Sequence, residues 1–123
     1  MVLVKTYIDK SSIHGLGVFA AEFIPAGTKV WELTSGLDLD WTTAEFDKLD
    51  KNIQEYIHHW GYRDPDTDKY RLSFDNDRFM NWSNTPNVVG SSKETFAAKD
   101  IARGEELTYP FSEDLNSEYS TAR

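Results

Sequence analysis

The chain has no cysteine, which excludes disulfides, thiolate nucleophiles and cysteine-ligated zinc together. It is also poor in positive charge: 13 Lys and Arg stand against 21 Asp and Glu, a net charge of −8. Direct nucleic-acid binding is not expected, because phosphate recognition needs a basic face. No apolar run approaches the length of a bilayer span, and Met1–Lys10 (MVLVKTYIDK) alternates apolar and polar residues where a signal peptide carries a continuous apolar stretch. The expectation is a soluble, intracellular protein, cytoplasmic or nuclear, with no membrane contact. In that setting Asn81-Trp82-Ser83 is a chance match to a glycosylation sequon.

What is abundant is aromatic and acidic. Four Trp, six Tyr and seven Phe supply large core side chains although only 39% of residues are hydrophobic. A chain of 123 residues falls in the range of one domain, spanning 1–123, able to bury roughly two thirds of its unfolded surface. The acidity is uneven. Between Asp38 and Asp77 there are eleven Asp and Glu against five Lys and Arg, which accounts for −6 of the −8. If that segment lines a groove, it attracts a basic, lysine-containing protein or peptide. The plainer reading of the same charges is a solvated acidic surface.

Periodicity predicts a mostly β chain with one helical insert. Val2–Ile8, Lys29–Leu33, Tyr70–Phe74, Thr95–Ala98 and Leu107–Phe111 read as short strands, and Val18–Ala21 as an apolar run. Ser11–Gly17, Pro25-Ala26-Gly27, Asp75-Asn76-Asp77, Asn84–Asn87 and Ala102-Arg103-Gly104 read as turns and loops. The rhythm breaks after Thr42 and Thr43, either of which could cap a helix. Phe46, Leu49, Ile53, Tyr56, Ile57 and Trp60 follow at helical spacing, predicting an amphipathic helix of about four turns over 42–61. Residues 112–123 form a short polar tail.

Several chemistries find little support. The serines lack a nucleophile elbow, and His58 and His59 lie on the predicted helix as surface or satisfied core groups. Gly15-Leu16-Gly17 lacks the third glycine and following helix of a dinucleotide fingerprint, so it signals only a tight turn and a close backbone approach. Asp64, Asp66 and Asp68 echo the start of a calcium loop. Lys69 stands where such a loop needs Gly, and Asp75 where it prefers a bidentate Glu, so no metal site is expected.

The motifs carry more information in combination. Ile13-His14-Gly15-Leu16-Gly17-Val18-Phe19-Ala20, Ile24-Pro25-Ala26-Gly27, the run from Arg78 through Asn81-Trp82-Ser83 to Asn87, Asp100-Ile101 and Gly104-Glu105-Glu106-Leu107-Thr108-Tyr109 occur in this order. In order and approximate spacing they resemble the SET-domain lysine methyltransferases. The resemblance spans nearly the whole chain, as a minimal SET domain without zinc-binding flanks.

The resemblance implies a β-clip-like fold of short curled sheets, with the Asn81 and Glu106–Phe111 segments threaded as a C-terminal pseudoknot. It implies S-adenosylmethionine as methyl donor, no metal, and methyl transfer to the side-chain amine of a protein lysine. By matching positions, His14, Gly15, Leu16 and Gly17 would wrap the donor. Arg78, Asn81 and the Trp82 backbone would hold its two ends, and Glu106 would be a structural hydrogen-bonding residue. Tyr109 would line the lysine channel, with Phe111 at the usual position of a second tyrosine. Tyr62 and Tyr70 are further candidates for the channel. This chain has Trp82 where the family usually has His, and Phe111 where it usually has Tyr. The alternative is therefore a catalytically weak or inactive SET-like domain that binds S-adenosylmethionine or a basic peptide. A homodimer is compatible with either reading.

The proposed chemistry suits these residues. Methyl transfer from a sulfonium to a neutral amine needs alignment and exclusion of water. A lysine with a pKa near 10.4 must lose its proton first, at a cost of about 4–5 kcal/mol near neutrality. A desolvated aromatic channel lowers that cost.

Overall fold

The computed structural model describes residues 1–110. Their strands form three small sheets. Strands β1 (Thr6–Lys10), β2 (Leu16–Ala20), β7 (Asn81–Ser83) and β10 (Glu106–Pro110) make a four-stranded sheet in the order β1-β2-β10-β7. Strands β3 (Lys29–Glu32), β8 (Val88–Gly90) and β9 (Glu94–Ala97) make a second, in the order β3-β9-β8. The third holds β4 (Leu39–Trp41), β5 (Tyr62–Arg63) and β6 (Tyr70–Leu72), in the order β4-β6-β5. Mostly β architecture with few helices is what the periodicity predicts.

The first strand lies later than expected. Instead of one strand over Val2–Ile8, Val2 bridges to Trp31 and the Leu3 amide donates to the Val30 carbonyl at 2.7 Å. The chain then crosses to pair Thr6 with Ala20 and Lys10 with Leu16. One extended run thus serves two sheets, which accounts for its imperfect alternation. The Pro25 turn closes with the Thr28 amide on the Pro25 carbonyl at 3.2 Å, and Gly27 takes φ +84°. That left-handed position favours glycine.

The helical insert is two helices. Thr42 caps α1 (Thr43–Asp47) with a complete capping box: its hydroxyl accepts from the Glu45 amide at 3.1 Å, and the Glu45 carboxylate accepts from the Thr42 amide at 2.9 Å. Asp50 caps α2 (Lys51–Trp60) by accepting from the Asn52 amide at 2.9 Å. A continuous helix would place Asp50 in its interior, where a short polar side chain competes for the backbone; here it restarts the helix. Phe46 and Ile57 are buried, whereas Ile53 and Tyr56 are exposed. Only part of the predicted apolar stripe therefore faces the core. After α2, Gly61 lets the chain pass close to β6, since a Cβ there would lie 2.4 Å from the Arg71 carbonyl oxygen.

Two apolar clusters result. Val18, Ala20, Ile24, Val30, Met80, Val88, Ala97, Ile101 and Leu107 form the larger, with Val4, Phe79 and Tyr109 packed against it. Phe46, Ile57 and Tyr70 form the smaller, flanked by Trp41, Leu49 and Trp82. The segment Phe79–Trp82 touches both clusters, which places the third motif at their junction.

Candidate active site

The loop between β1 and β2 is held from inside. The Ser11 amide donates to the Gly15 carbonyl at 2.8 Å, and the Ser11 hydroxyl accepts from the Ile13 amide at 2.9 Å. Gly15 lies at φ +50° with nothing within 4 Å of where a Cβ would stand, so its outer side is open. Gly17 has the opposite problem: a Cβ would fall 2.5 Å from Glu106 Oε2 and 2.8 Å from its Cδ. The first glycine serves backbone conformation; the second makes room for a carboxylate.

Asn81 joins this loop to the C-terminal strand. Its Nδ2 lies 2.9 Å from the His14 carbonyl, 2.9 Å from the Leu16 carbonyl and 3.0 Å from Glu106 Oε2. An amide has two N–H donors, so these three acceptors share them. Glu106 in turn accepts from the Ser11 hydroxyl at 2.8 Å. His14, Leu16, Gly17, Asn81 and Glu106 thus come together around one polar knot, with Glu106 in a hydrogen-bonding role.

On the other side of β10, strands β7 and β10 run parallel, with Thr108 opposite Asn81 and Tyr109 opposite Trp82. The Tyr109 hydroxyl donates to Asp77 Oδ1. Asp77 is buried in the 3-10 helix Asn76–Phe79, and its other oxygen accepts from the Ser73 hydroxyl at 2.7 Å. Tyr62 lies in the same neighbourhood. Burial pushes its phenol well above the ordinary range, Arg71 opposes that shift, and the Asp77 and Asp64 carboxylates add to it.

A family model described as the SET domain matches residues 15–112. The chain belongs to the SET-domain family. A Plasmodium falciparum (isolate 3D7) protein provisionally named histone-lysine N-methyltransferase 1 is 29% identical over 127 residues, covering 93% of this chain and 2% of that protein. This SET domain therefore spans only a small fraction of that relative. The crystal structure of a provisionally named Plasmodium falciparum histone methyltransferase superposes with a TM-score of 0.62 at 20% identity, over 91% of this chain and 96% of that one. The Neurospora SET domain protein DIM-5, a histone lysine methyltransferase, superposes with a TM-score of 0.57 at 22% identity, over 91% of this chain and 54% of that one. These likenesses establish the fold.

Within this SET domain the remaining candidates fall in different places. Arg78 sends Nε to the Ser73 carbonyl and Nη1 to the Tyr56 hydroxyl, both at 2.8 Å, and so ties α2 to the 3-10 helix. The Trp82 indole packs toward the Phe46, Ile57 and Tyr70 cluster. The two helices of the insert supply Phe46 and Ile57 of that cluster, and β6 supplies Tyr70. Tyr70 stacks on Phe46 with ring centroids 3.8 Å apart and is a core residue. His58 meets Phe46 edge-on at 5.1 Å, in keeping with a packed rather than nucleophile-activating role. Phe111 lies outside the described residues, as does the tail over 112–123.

The aspartates that echo a calcium loop are engaged elsewhere. Asp64 Oδ2 lies 3.1 Å from the buried Arg71 guanidinium, Asp66 accepts from Ser92 at 2.6 Å, and Asp68 pairs with Arg63 at 2.8 Å. Among the described residues no group of three or more His, Asp and Glu side chains could hold a metal ion. No helix among them is long and apolar enough to cross a membrane. Motif reasoning missed Ser11, which holds Glu106, Asp77, which holds Tyr109, and the buried Arg71 of the third sheet. Asp77 had a signal: an acid in the turn directly before Arg78. Arg71 had none, because a single arginine within a strand pattern ordinarily faces solvent.

Proposed function

We propose that this SET domain transfers a methyl group from S-adenosylmethionine to the side-chain amine of a protein lysine in a basic segment. The observation that carries the reading is the Asn81 side chain, which gathers the glycine loop and Glu106 beside the parallel β7–β10 pair bearing Tyr109. His14, Gly15, Leu16, Gly17, Asn81 and the Trp82 backbone would hold the donor. Gly15 suits this role because no atom lies within 4 Å of its Cβ position, leaving backbone uncovered for a close approach. Arg78 would support the same site through its hold on Ser73 and Tyr56.

The donor supplies a methyl carbon whose bond to sulfur breaks as the bond to the lysine nitrogen forms, the electron pair leaving with sulfur. The chain's own task is alignment and desolvation. Tyr109, packed against the larger core, would border the amine, and the acidic segment over 38–77 would draw in a positively charged peptide. Phe111, at the usual tyrosine position, would supply a ring without a hydroxyl, and the loss of one such group commonly costs a factor of about 100 to 1,000 in rate. A slow enzyme is expected, accelerated by Phe111→Tyr at unchanged donor affinity.

The test has two parts. Calorimetry with S-adenosylmethionine should give micromolar-scale affinity, about −8 kcal/mol, weakened more by Asn81→Ala than by His58→Ala. Incubation with labelled donor and a panel of basic proteins, followed by mass spectrometry, should locate methyl-lysine. Binding without transfer would favour a binding-only domain; no binding at millimolar donor would end both readings.

A further inference from the structure

We propose that Ser11 is a positioning residue for the methyl donor: its hydroxyl clasps the tip of the glycine loop to Glu106 and holds the loop in its donor-binding shape beforehand. The proposal rests on the methyl-transfer reading above and deepens it. A serine hydroxyl has one proton to give and two lone pairs that accept. Ser11 uses all three. Its proton is shared between the two Glu106 oxygens, at 2.8 and 2.9 Å, while its oxygen accepts from the Ile13 amide at 2.9 Å and the His14 amide at 3.3 Å.

Apolar packing cannot set the tip of this loop. Ser12 through Leu16 are exposed, with Ile13 at 49% and Leu16 at 42%. Hydrogen bonds set it instead. The Ser11 amide closes the loop on the Gly15 carbonyl at 2.8 Å, and Asn81 Nδ2 holds the His14 and Leu16 carbonyls from behind, each at 2.9 Å. His14 is thus fixed at its carbonyl by Asn81 and at its amide by Ser11. The clasp ends on Glu106 in β10, the strand that lies between β2 and β7. A loop fixed in its bound shape beforehand needs no ordering at the moment of binding. Loss of the clasp leaves the chemical groups of the site in place and lowers the fraction of molecules whose loop fits the donor. The effect falls on donor affinity and not on transfer once donor is bound.

The experiment compares wild type, Ser11→Ala and Ser12→Ala, the last removing the adjacent hydroxyl as a control. Calorimetry with S-adenosylmethionine gives donor affinity, and initial rates on one lysine peptide give kcat and the KM of donor and peptide. Hydrogen exchange without donor gives the protection of the Ile13 and His14 amides. Ser11→Ala is expected to weaken donor binding and raise the donor KM about tenfold, with kcat and the peptide KM unchanged. The two amides should exchange about tenfold faster or more, because their acceptor is gone. Ser12→Ala is expected to match wild type in every measurement.

Unchanged donor affinity in Ser11→Ala, an equal loss in Ser12→Ala, or a fall in kcat as large as the loss of affinity would overturn the proposal while leaving methyl transfer intact. Unprotected Ile13 and His14 amides in wild type overturn it as well. If wild type binds donor without transferring methyl, the affinity and exchange measurements decide. A wild type that neither binds donor nor transfers methyl overturns both readings together. Should Ser11→Ala fail to fold, Ser11→Cys takes its place with the same expectations, since a thiol keeps the side-chain shape and hydrogen-bonds only weakly.

Discussion

At the scale of single residues, Gly15 and Gly17 look alike in sequence and differ in the reason each is glycine. Gly15 stands at φ +50° with open space around it, so a side chain meets only backbone strain. Gly15→Ala should cost roughly 1 kcal/mol, the usual penalty for a left-handed alanine. Gly17 has ordinary backbone, but its Cβ position lies 2.5 Å from Glu106 Oε2. Gly17→Ala must push that carboxylate off Ser11 and Asn81, which leaves polar groups of the knot short of partners. The expected loss is about 2–3 kcal/mol, overpacking and a broken hydrogen bond together. Urea unfolding of both variants checks the order, and equal losses would mean that Glu106 can move aside freely.

The same scale shows where motif reading succeeds and stops. Asn81, Glu106 and the two glycines were legible because each is a residue type with a narrow range of uses, set at ordered spacing. The partners that give them geometry were not. Ser11 is one of two adjacent serines in a loop, and nothing local distinguishes it until Glu106, ninety-five positions away, meets its hydroxyl at 2.8 Å.

At the scale of elements, turns that depend on their own residues were read correctly, and boundaries that depend on remote partners were not. The Pro25 and Ala102 turns close locally, with the Glu105 amide on the Ala102 carbonyl at 3.0 Å. Strands β4, β5, β7 and β8 span only two or three residues each and exist because a neighbour supplies the other half of the ladder. Such short segments carry too few residues to show period two.

The helical insert is intermediate: its apolar spacing was visible, while the restart at Asp50 was hidden because the residues around it lack Gly or Pro. This arrangement makes the Thr42 cap testable. A five-residue helix has little propagation to stabilise it, so α1 relies on its capping box and on buried Phe46. Thr42→Ala should destabilise the protein by about 1 kcal/mol, and Thr42→Ser should restore most of it. A Thr42→Ala midpoint in urea equal to wild type would show that Phe46 alone holds the helix.

At the scale of the whole molecule, the third sheet is organised by one buried cation. Arg71 is 2% exposed, yet its guanidinium reaches Asp40 at 2.7 Å, Asp64 at 3.1 Å, the Ser92 carbonyl at 2.8 Å and the Tyr62 hydroxyl at 3.2 Å. Burial disfavours its charge, but the hydrogen bonds to Asp40 and the nearby Tyr62 more than reverse that, and its pKa is raised. It stays charged throughout any accessible range. Tyr62 is the group that can titrate: burial raises its phenol against the opposing pull of Arg71.

The sign follows from proton counts. Above the unfolded phenol value of about 10, the unfolded chain loses this proton while the folded one keeps it. The folded state then binds more protons, so stability falls as pH rises from that point. Tyr62→Phe removes the coupling together with one hydrogen bond. Near neutral pH it should cost about 1 kcal/mol, whereas above about pH 10 its stability should decline less steeply than that of wild type. The other tyrosines are common to both proteins and cancel in the difference. Urea midpoints measured across the alkaline range provide the check: converging curves support a buried phenol held by Arg71, and parallel curves would show that Tyr62 ionises as readily in the fold as outside it.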